Sequence, residues 1–151
     1  MEIYTIGFAK KSAAEFFDAL RRAGIRRLID VRLNNTSQLA GFTKRDDLRY
    51  FLGEICRADY HHEPALAPSK EILDAYKGKQ ISWEEYEARY VALLTERAAE
   101  TAVDRRLFDL PAVLLCSEPS PEHCHRRLAA EYLAEKWGGA KVVHLCLPCA
   151  S

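Results

Sequence analysis

Glu2-Ile3-Tyr4-Thr5-Ile6-Gly7, Ser12-Ala13-Ala14-Glu15-Phe16-Phe17-Asp18-Ala19-Leu20 and Arg27-Leu28-Ile29-Asp30-Val31-Arg32 follow one another in the first 32 residues, and their order decides the fold. The first run is β-branched and aromatic and stops at Gly7, where the backbone is expected to turn sharply, with Phe8 and Ala9 at its mouth. In the second, Ser12 and Glu15 have capping-box spacing, and Ala13, Phe16, Phe17 and Leu20 make one apolar stripe of a helix that Gly24 stops. The third run, Arg27 to Arg32, is a strand of the buried type. Strand, helix of about three turns and strand again is the signature of a parallel crossover.

The same alternation continues outward. Leu33 to Phe42, with Asn34, Asn35, Ser37, Gln38 and Gly41, reads as a long loop, and long loops after strands tend to carry function. Thr43 with Asp46 predicts a cap for a helix through about Cys56, followed by a weak strand from Ala58 to His62. The prolines in Glu63-Pro64-Ala65-Leu66-Ala67-Pro68 exclude a helix there. Ser69 caps a short helix to Tyr76 that Gly78 breaks, and Ser82 with Glu85 caps a long one to about Ala102. Pro111 opens the strand Ala112-Val113-Leu114-Leu115-Cys116. A helix from Ser120 as cap and Pro121 at its first position then runs to about Trp137, before Gly138-Gly139. The last strand is Lys141 to Cys146. Five strands separated by helices predict an α/β fold of three layers, a mainly parallel five-stranded sheet with helices on both faces, doubly wound and Rossmann-like. No repeat, linker or low-complexity segment divides it, so residues 1–151 are expected to form a single domain.

Composition narrows the function classes. At 151 residues, 48% of them hydrophobic and 29% charged, the chain can bury a core without staples. The 22 basic and 22 acidic side chains cancel, so no global field recruits nucleic acid, although Arg21, Arg22, Arg26, Arg27 and Arg32 are a local basic group. No apolar run reaches membrane-spanning length and the first residues do not resemble a signal peptide, which predicts a soluble cytoplasmic protein. Five cysteines, Cys56, Cys116, Cys124, Cys146 and Cys149, then argue for reduced thiols. Gly-rich phosphate loops, nucleophile elbows and His-Glu-x-x-His patterns are absent.

In parallel sheets ligands bind beyond the carboxyl ends of the strands, near the point where strand order reverses. Those ends are Gly7-Phe8, Asp30-Val31-Arg32, His62 and Cys116-Ser117-Glu118, and polar and reactive residues gather there. With Leu128, Ala129, Tyr132 and Leu133 on the buried face of the following helix, His125 points back toward the strand mouths at roughly 100° per residue. It reads either as a proton carrier or as a core histidine bonded to a backbone carbonyl. Cys116, before a helix N-terminus, reads as a thiolate nucleophile or as an inert core cysteine. Arg32 suits bidentate recognition of an anion, or a salt bridge to Asp30, Glu118 or Glu122. Cys116, His123, Cys124 and His125 supply zinc-type ligands without the paired short spacing of structural zinc sites, so no metal ligand is assigned. Cys146 and Cys149 follow the last strand instead of opening a helix, and Trp83, Tyr86 and Tyr90 are expected to pack in the core rather than to stack on bases.

Ile3-Tyr4-Thr5-Ile6-Gly7, Ile29-Asp30-Val31-Arg32, Tyr60-x-His62-x-Pro64-x-Leu66, and Cys116-x-Glu118 followed by Cys124-His125-Arg126 resemble, in that order, the motifs of the domain-of-unknown-function 488 family. The resemblance runs from Ile3 to about Leu145. It implies the fold and the motif positions His62, Cys116, Glu118, Cys124, His125 and Arg126, and it supplies no reaction. The family usually has histidine after the first Thr-Ile-Gly, where this chain has Phe8. Phosphatase-type anion loops place arginine six positions after the cysteine, and here that position is Glu122, a carboxylate that would repel the anion.

The expectation is therefore a crevice for a small anionic or nucleotide-type ligand, built by Arg32, Ser117, Glu118, Cys124 and Arg126. Cys116 is its nucleophile, and His125 or His62 its proton carrier. Two alternatives stand beside it, a nucleic-acid-associated module using the Arg21–Arg32 group and a structural zinc domain. The sequence names no cofactor and no oligomeric state.

Overall fold

The computed structural model describes residues 1–35, 41–117 and 123–145. Among these residues, five strands, β1 (Glu2–Gly7), β2 (Arg27–Asp30), β3 (Asp59–His62), β4 (Ala112–Cys116) and β5 (Lys141–Leu145), form one sheet in the order β3-β2-β4-β1-β5. Every pairing is parallel. The fold class is the one the alternation of elements predicts.

Helices cover both faces. On one lie α1 (Ala13–Arg22) and α2 (Arg45–Phe51), whose Phe16, Phe17, Leu20 and Leu48 pack on Ile6, Leu28, Val113 and Leu115. On the other lie α3 (Lys70–Lys77), α4 (Trp83–Glu96), α5 (Ala99–Ala102) and α6 (His125–Trp137), over Ile3, Ile29, Val31 and Leu114. Along β4, Val113 and Leu115 face one layer while Ala112, Leu114 and Cys116 face the other, the period-2 alternation of a strand buried on both sides. Each such Val, Leu or Ile contributes about 1.5–3 kcal/mol on leaving water. Among the described residues, no helix is long and apolar enough to cross a membrane.

The strand order locates the site. From β1 the chain passes beyond β4 to reach β2, and from β4 it returns beyond β1 to reach β5. The neighbours β1 and β4 thus send their connections in opposite directions, and a gap opens above their carboxyl ends. Gly7 is in register with Cys116 there, and the Phe8 and Ala9 amides donate to the Cys116 and Ser117 carbonyls at 3.3 and 2.8 Å.

Several local expectations need correction. β2 ends at Asp30, because the Arg32 amide turns back to the Asp30 carboxylate at 3.1 Å. Thr43 does not cap α2: it closes a 3-10 turn over Gly41–Thr43, and Lys44 occupies the cap position with no side-chain bond. Residues 52–56 continue in a wider, π-type turn that Arg57 ends in the left-handed region. A 3-10 turn over Pro64–Leu66 occupies the proline-rich stretch, with Pro64 in its first turn where a missing amide donor costs nothing. The long helix expected to reach Ala102 breaks at Ala98, whose φ of 50° separates α4 from α5. The last helix starts at His125, four residues beyond the expected Pro121, with Cys124 extended at its cap. Ser120 and Pro121 lie outside the described residues, as does the end of the last expected strand, Cys146. The reduced-thiol expectation fails for one pair, since Cys116 and Cys124 are joined by a disulfide. Cys56 is free, its thiol 3.7 Å from the Phe17 carbonyl.

A crevice at the carboxyl ends of β1 and β4

A cavity of about 420 Å³ lies above the β1–β4 gap. Its floor is Cys116 and Ser117 from the end of β4, with Cys124 and His125 from the mouth of α6. Phe8, Arg32, Leu33 and Asn34 line it as well, together with Tyr76, Trp83 and Tyr86 from α3 and α4.

Arg32 is held by what surrounds Asp30. The fully buried Asp30 carboxylate accepts from Arg32 Nε at 2.9 Å and Nη2 at 2.8 Å, and from the Tyr60 hydroxyl at 2.6 Å. Arg32 Nη2 also donates to the Thr43 carbonyl at 2.7 Å. Burial, and then the bond to Asp30, push the Tyr60 phenol well above its ordinary value, so it stays a donor. The guanidinium is thus fixed edge-on, with its Cζ 5.5 Å from the centre of the Phe8 ring. Its Nη1 has no partner among the described residues, and Arg32 is part of the crevice wall. Of the two sequence readings of Arg32, the Asp30 salt bridge is present.

His125 opens α6 with its ring part-buried. Its Nε2 donates to the Val31 carbonyl at 2.8 Å, and the Tyr90 ring meets it edge-on at 5.5 Å. Burial above all, opposed by the Val31 carbonyl and aided by nearby Arg126, lowers its pKa from 6.5 to about 4. A neutral imidazole with its proton on Nε2 carries its lone pair on Nδ1. The core-histidine reading of the Val31 bond and a place in the crevice wall are therefore both true of this residue.

Arg126 is completely buried behind the floor, with Nη1 3.4 Å from Cys116 Sγ and Nε donating to Thr5 Oγ1 at 3.3 Å. Thr5 Oγ1 is also 2.6 Å from His144 Nδ1, and burial lowers the pKa of that imidazole, Arg126 adding to the effect. Arg126 is not among the residues that line the crevice. It places a positive charge behind the Cys116 sulfur. His62 also stands apart from the crevice lining, its Nε2 donating to the Arg32 carbonyl at 3.1 Å. Glu118 lies outside the described residues, as do Glu122, Cys146 and Cys149.

The aromatic wall was not legible in the sequence as a site feature. Tyr90 is core, completely buried with its hydroxyl on the Leu66 carbonyl at 2.7 Å. Tyr86 is buried in the same core cluster and Trp83 packs against it, as expected, yet both also line the cavity; they stack on each other at 5.1 Å, and His123 stacks on Trp83 at 5.0 Å. One helix stripe thus serves the core and, at its first turns, the crevice as well. The useful signal was a tryptophan in the first turn of a helix, where the stripe outruns the sheet. Lys77, at the end of α3, adds a cation to the rim.

The basic group from Arg21 to Arg32 is largely partnered. Arg21 and Arg22 pair with Asp18, Arg27 with Asp59 and Arg32 with Asp30, while Arg26 donates to the Arg57 carbonyl.

The chain belongs to the family described as domain of unknown function DUF488, whose profile matches residues 12–133. The matched span contains β2, β3, β4 and most of α6, and leaves out β1 and β5. Comparison with curated proteins and with solved structures gives no match.

Proposed function

We propose that the crevice binds a small anionic ligand carrying a flat ring, of nucleotide type. The observation that carries this reading is the placement of Arg32. A guanidinium held by Asp30, Thr43 and Phe8, with Nη1 unpartnered among the described residues, lines the same cavity as the Trp83–Tyr86 stack. Arginine recognises phosphate or carboxylate oxygens through paired N–H groups, and a flat ring against tryptophan gains about 1–3 kcal/mol by stacking. The volume of about 420 Å³ falls in the usual range for small-molecule sites. Among the described residues that line it, Arg32 and Lys77 are cationic and none is acidic, a balance that favours an anion.

In this reading Ser117 and Cys124 contact the ligand from the floor, and reduced Cys116 is the nucleophile, with the Arg126 charge favouring its thiolate. His125, neutral near pH 7, accepts a proton through Nδ1. His62 positions Arg32 through the carbonyl bond and does not itself touch the ligand.

The test is a thermal-shift and calorimetric comparison of a nucleoside monophosphate, the matching nucleoside and inorganic phosphate on the reduced protein. Binding is expected in the order monophosphate, phosphate, nucleoside. Trp83→Ala and Lys77→Ala should each weaken the monophosphate by about tenfold, a loss of about 1.4 kcal/mol. Absence of any binding at millimolar concentration, or equal binding by both variants, would overturn the reading. Affinity for mixed-sequence RNA that collapses as salt rises would point instead to the nucleic-acid module.

A further inference from the structure

We propose that Cys116, Cys124 and His125 form a metal-ion site of zinc type, available when the two thiols are reduced and closed when they pair as a disulfide. The two sulfurs and a His125 ring nitrogen lie within 4.8 Å of one another. In a tetrahedral zinc site with Zn–S near 2.3 Å and Zn–N near 2.0–2.1 Å, neighbouring ligand atoms are roughly 3.5–3.8 Å apart. The 4.8 Å bound is about 1 Å wider than that spacing, and reduction frees the two bonded sulfurs to part toward it. The Cα atoms of Cys116 and Cys124 are 7.5 Å apart, wider than the roughly 4.4–6.8 Å usual for disulfides and well suited to two ligands of one ion.

The surroundings fit the same chemistry. A metal-bound histidine generally donates its other ring N–H to a carboxylate or carbonyl, which fixes tautomer and orientation. His125 Nε2 does this to the Val31 carbonyl at 2.8 Å, leaving the Nδ1 lone pair for the ion. Two thiolates balance a divalent charge, and thiolate with imidazole selects zinc-type ions over magnesium or calcium. Arg126 Nη1, 3.4 Å from Cys116 Sγ, favours the deprotonated sulfur that a metal needs. All three residues line the crevice, so a fourth coordination position opens toward it, the pattern of zinc sites that keep a place for water or substrate.

The two states interconvert by balanced steps. Two glutathione-type thiols reduce the protein disulfide to two thiols and leave as one disulfide. The two protein thiols then release two protons as the ion binds. The site does not depend on the anion reading. Bound metal and a free Cys116 nucleophile are alternative uses of one sulfur, and a metal measurement needs no anion.

Cobalt(II) titration of the reduced, chelator-treated full chain tests the proposal. One cobalt per chain is expected, with a thiolate-to-cobalt charge-transfer band and the strong visible absorption of a tetrahedral ion, displaced by one zinc. The disulfide form should bind none. His125→Ala should weaken binding at least tenfold and Cys116→Ser/Cys124→Ser should abolish it, with circular dichroism confirming that each variant is folded. Cys56→Ser and Cys146→Ser/Cys149→Ser should bind as the parent. In the parent chain, zinc should protect Cys116 and Cys124 from iodoacetamide, read by peptide mass spectrometry, a measurement that needs no variant. Absence of stoichiometric metal in the reduced parent, binding that survives Cys116→Ser/Cys124→Ser, or binding lost with Cys146 and Cys149 alone would each overturn it.

Discussion

Replacing Asp30 with alanine should be among the most damaging single changes in the sheet, and the structure gives its size. The carboxylate is completely buried, and it accepts from Arg32 Nε, Arg32 Nη2, the Arg32 amide and the Tyr60 hydroxyl at 2.9, 2.8, 3.1 and 2.6 Å. Its removal leaves a buried guanidinium with the Thr43 carbonyl as its one polar partner among the described residues, and breaking one side of a buried ion pair costs about 3–5 kcal/mol. In a chain of this size each kcal/mol lowers Tm by about 2–4 °C, so the fall should be about 6–20 °C. Urea unfolding followed by tryptophan fluorescence and far-ultraviolet dichroism would measure it, with a lower midpoint and an unchanged slope. The double variant Asp30→Leu/Arg32→Met removes both charges, and it should recover most of the loss, because apolar replacements of buried ion pairs are often neutral or stabilising. A loss below about 1 kcal/mol in Asp30→Ala, or a double variant as unstable as the single one, would refute the argument that this pair organises the crevice.

Three further outcomes are expected. In the metal-free protein, His125 with a folded pKa of about 4 against 6.5 unfolded carries no penalty above pH 6.5, where both states are neutral. As pH falls from 6.5 to 4 the unfolded chain takes the proton first, so stability should drop by about 3 kcal/mol more than in His125→Gln, read from urea midpoints along the pH series. Ser12→Ala should lose about 1 kcal/mol in urea unfolding, since Ser12 Oγ accepts the Glu15 amide at 3.1 Å while the Glu15 carboxylate accepts the Ser12 amide at 2.8 Å. Ala98→Gly should raise the unfolding free energy by about 0.5–1 kcal/mol in urea unfolding, because Ala98 sits at φ 50° between α4 and α5, where glycine has no Cβ penalty.

What the sequence determined by itself is what short-range physics writes into it. Ser12 three residues before Glu15, the apolar run Ala112 to Cys116 and the alternation of strand with helix each record a local backbone preference. Local preferences summed over the chain sufficed for five parallel strands covered on two faces. The gathering of Arg32, Cys116, Ser117 and His125 at strand ends was legible for the same reason, because a parallel sheet brings all its carboxyl ends to one edge.

Only the tertiary structure decided the rest, where the partner lies far along the chain. No spacing rule says that β1 lies between β4 and β5, and that order alone puts the opening beside Cys116. Arg126 and His62 look like site residues in sequence. Yet one points into the sheet toward Thr5, and the other donates to the Arg32 carbonyl. Trp83, Tyr86 and Tyr90 share a stripe that packs on the core as its period predicts, but helical period cannot tell which of these rings also borders a cavity. Ser120 and Pro121 promised a helix start, but the helix in the structure starts at His125, capped by Cys124, whose sulfur is bonded to Cys116. Periodicity and capping are properties of neighbours within a turn or two. Which thiols meet, which arginine is paired and which ring is left for a ligand depend on contacts between residues that the chain keeps apart and only packing brings together.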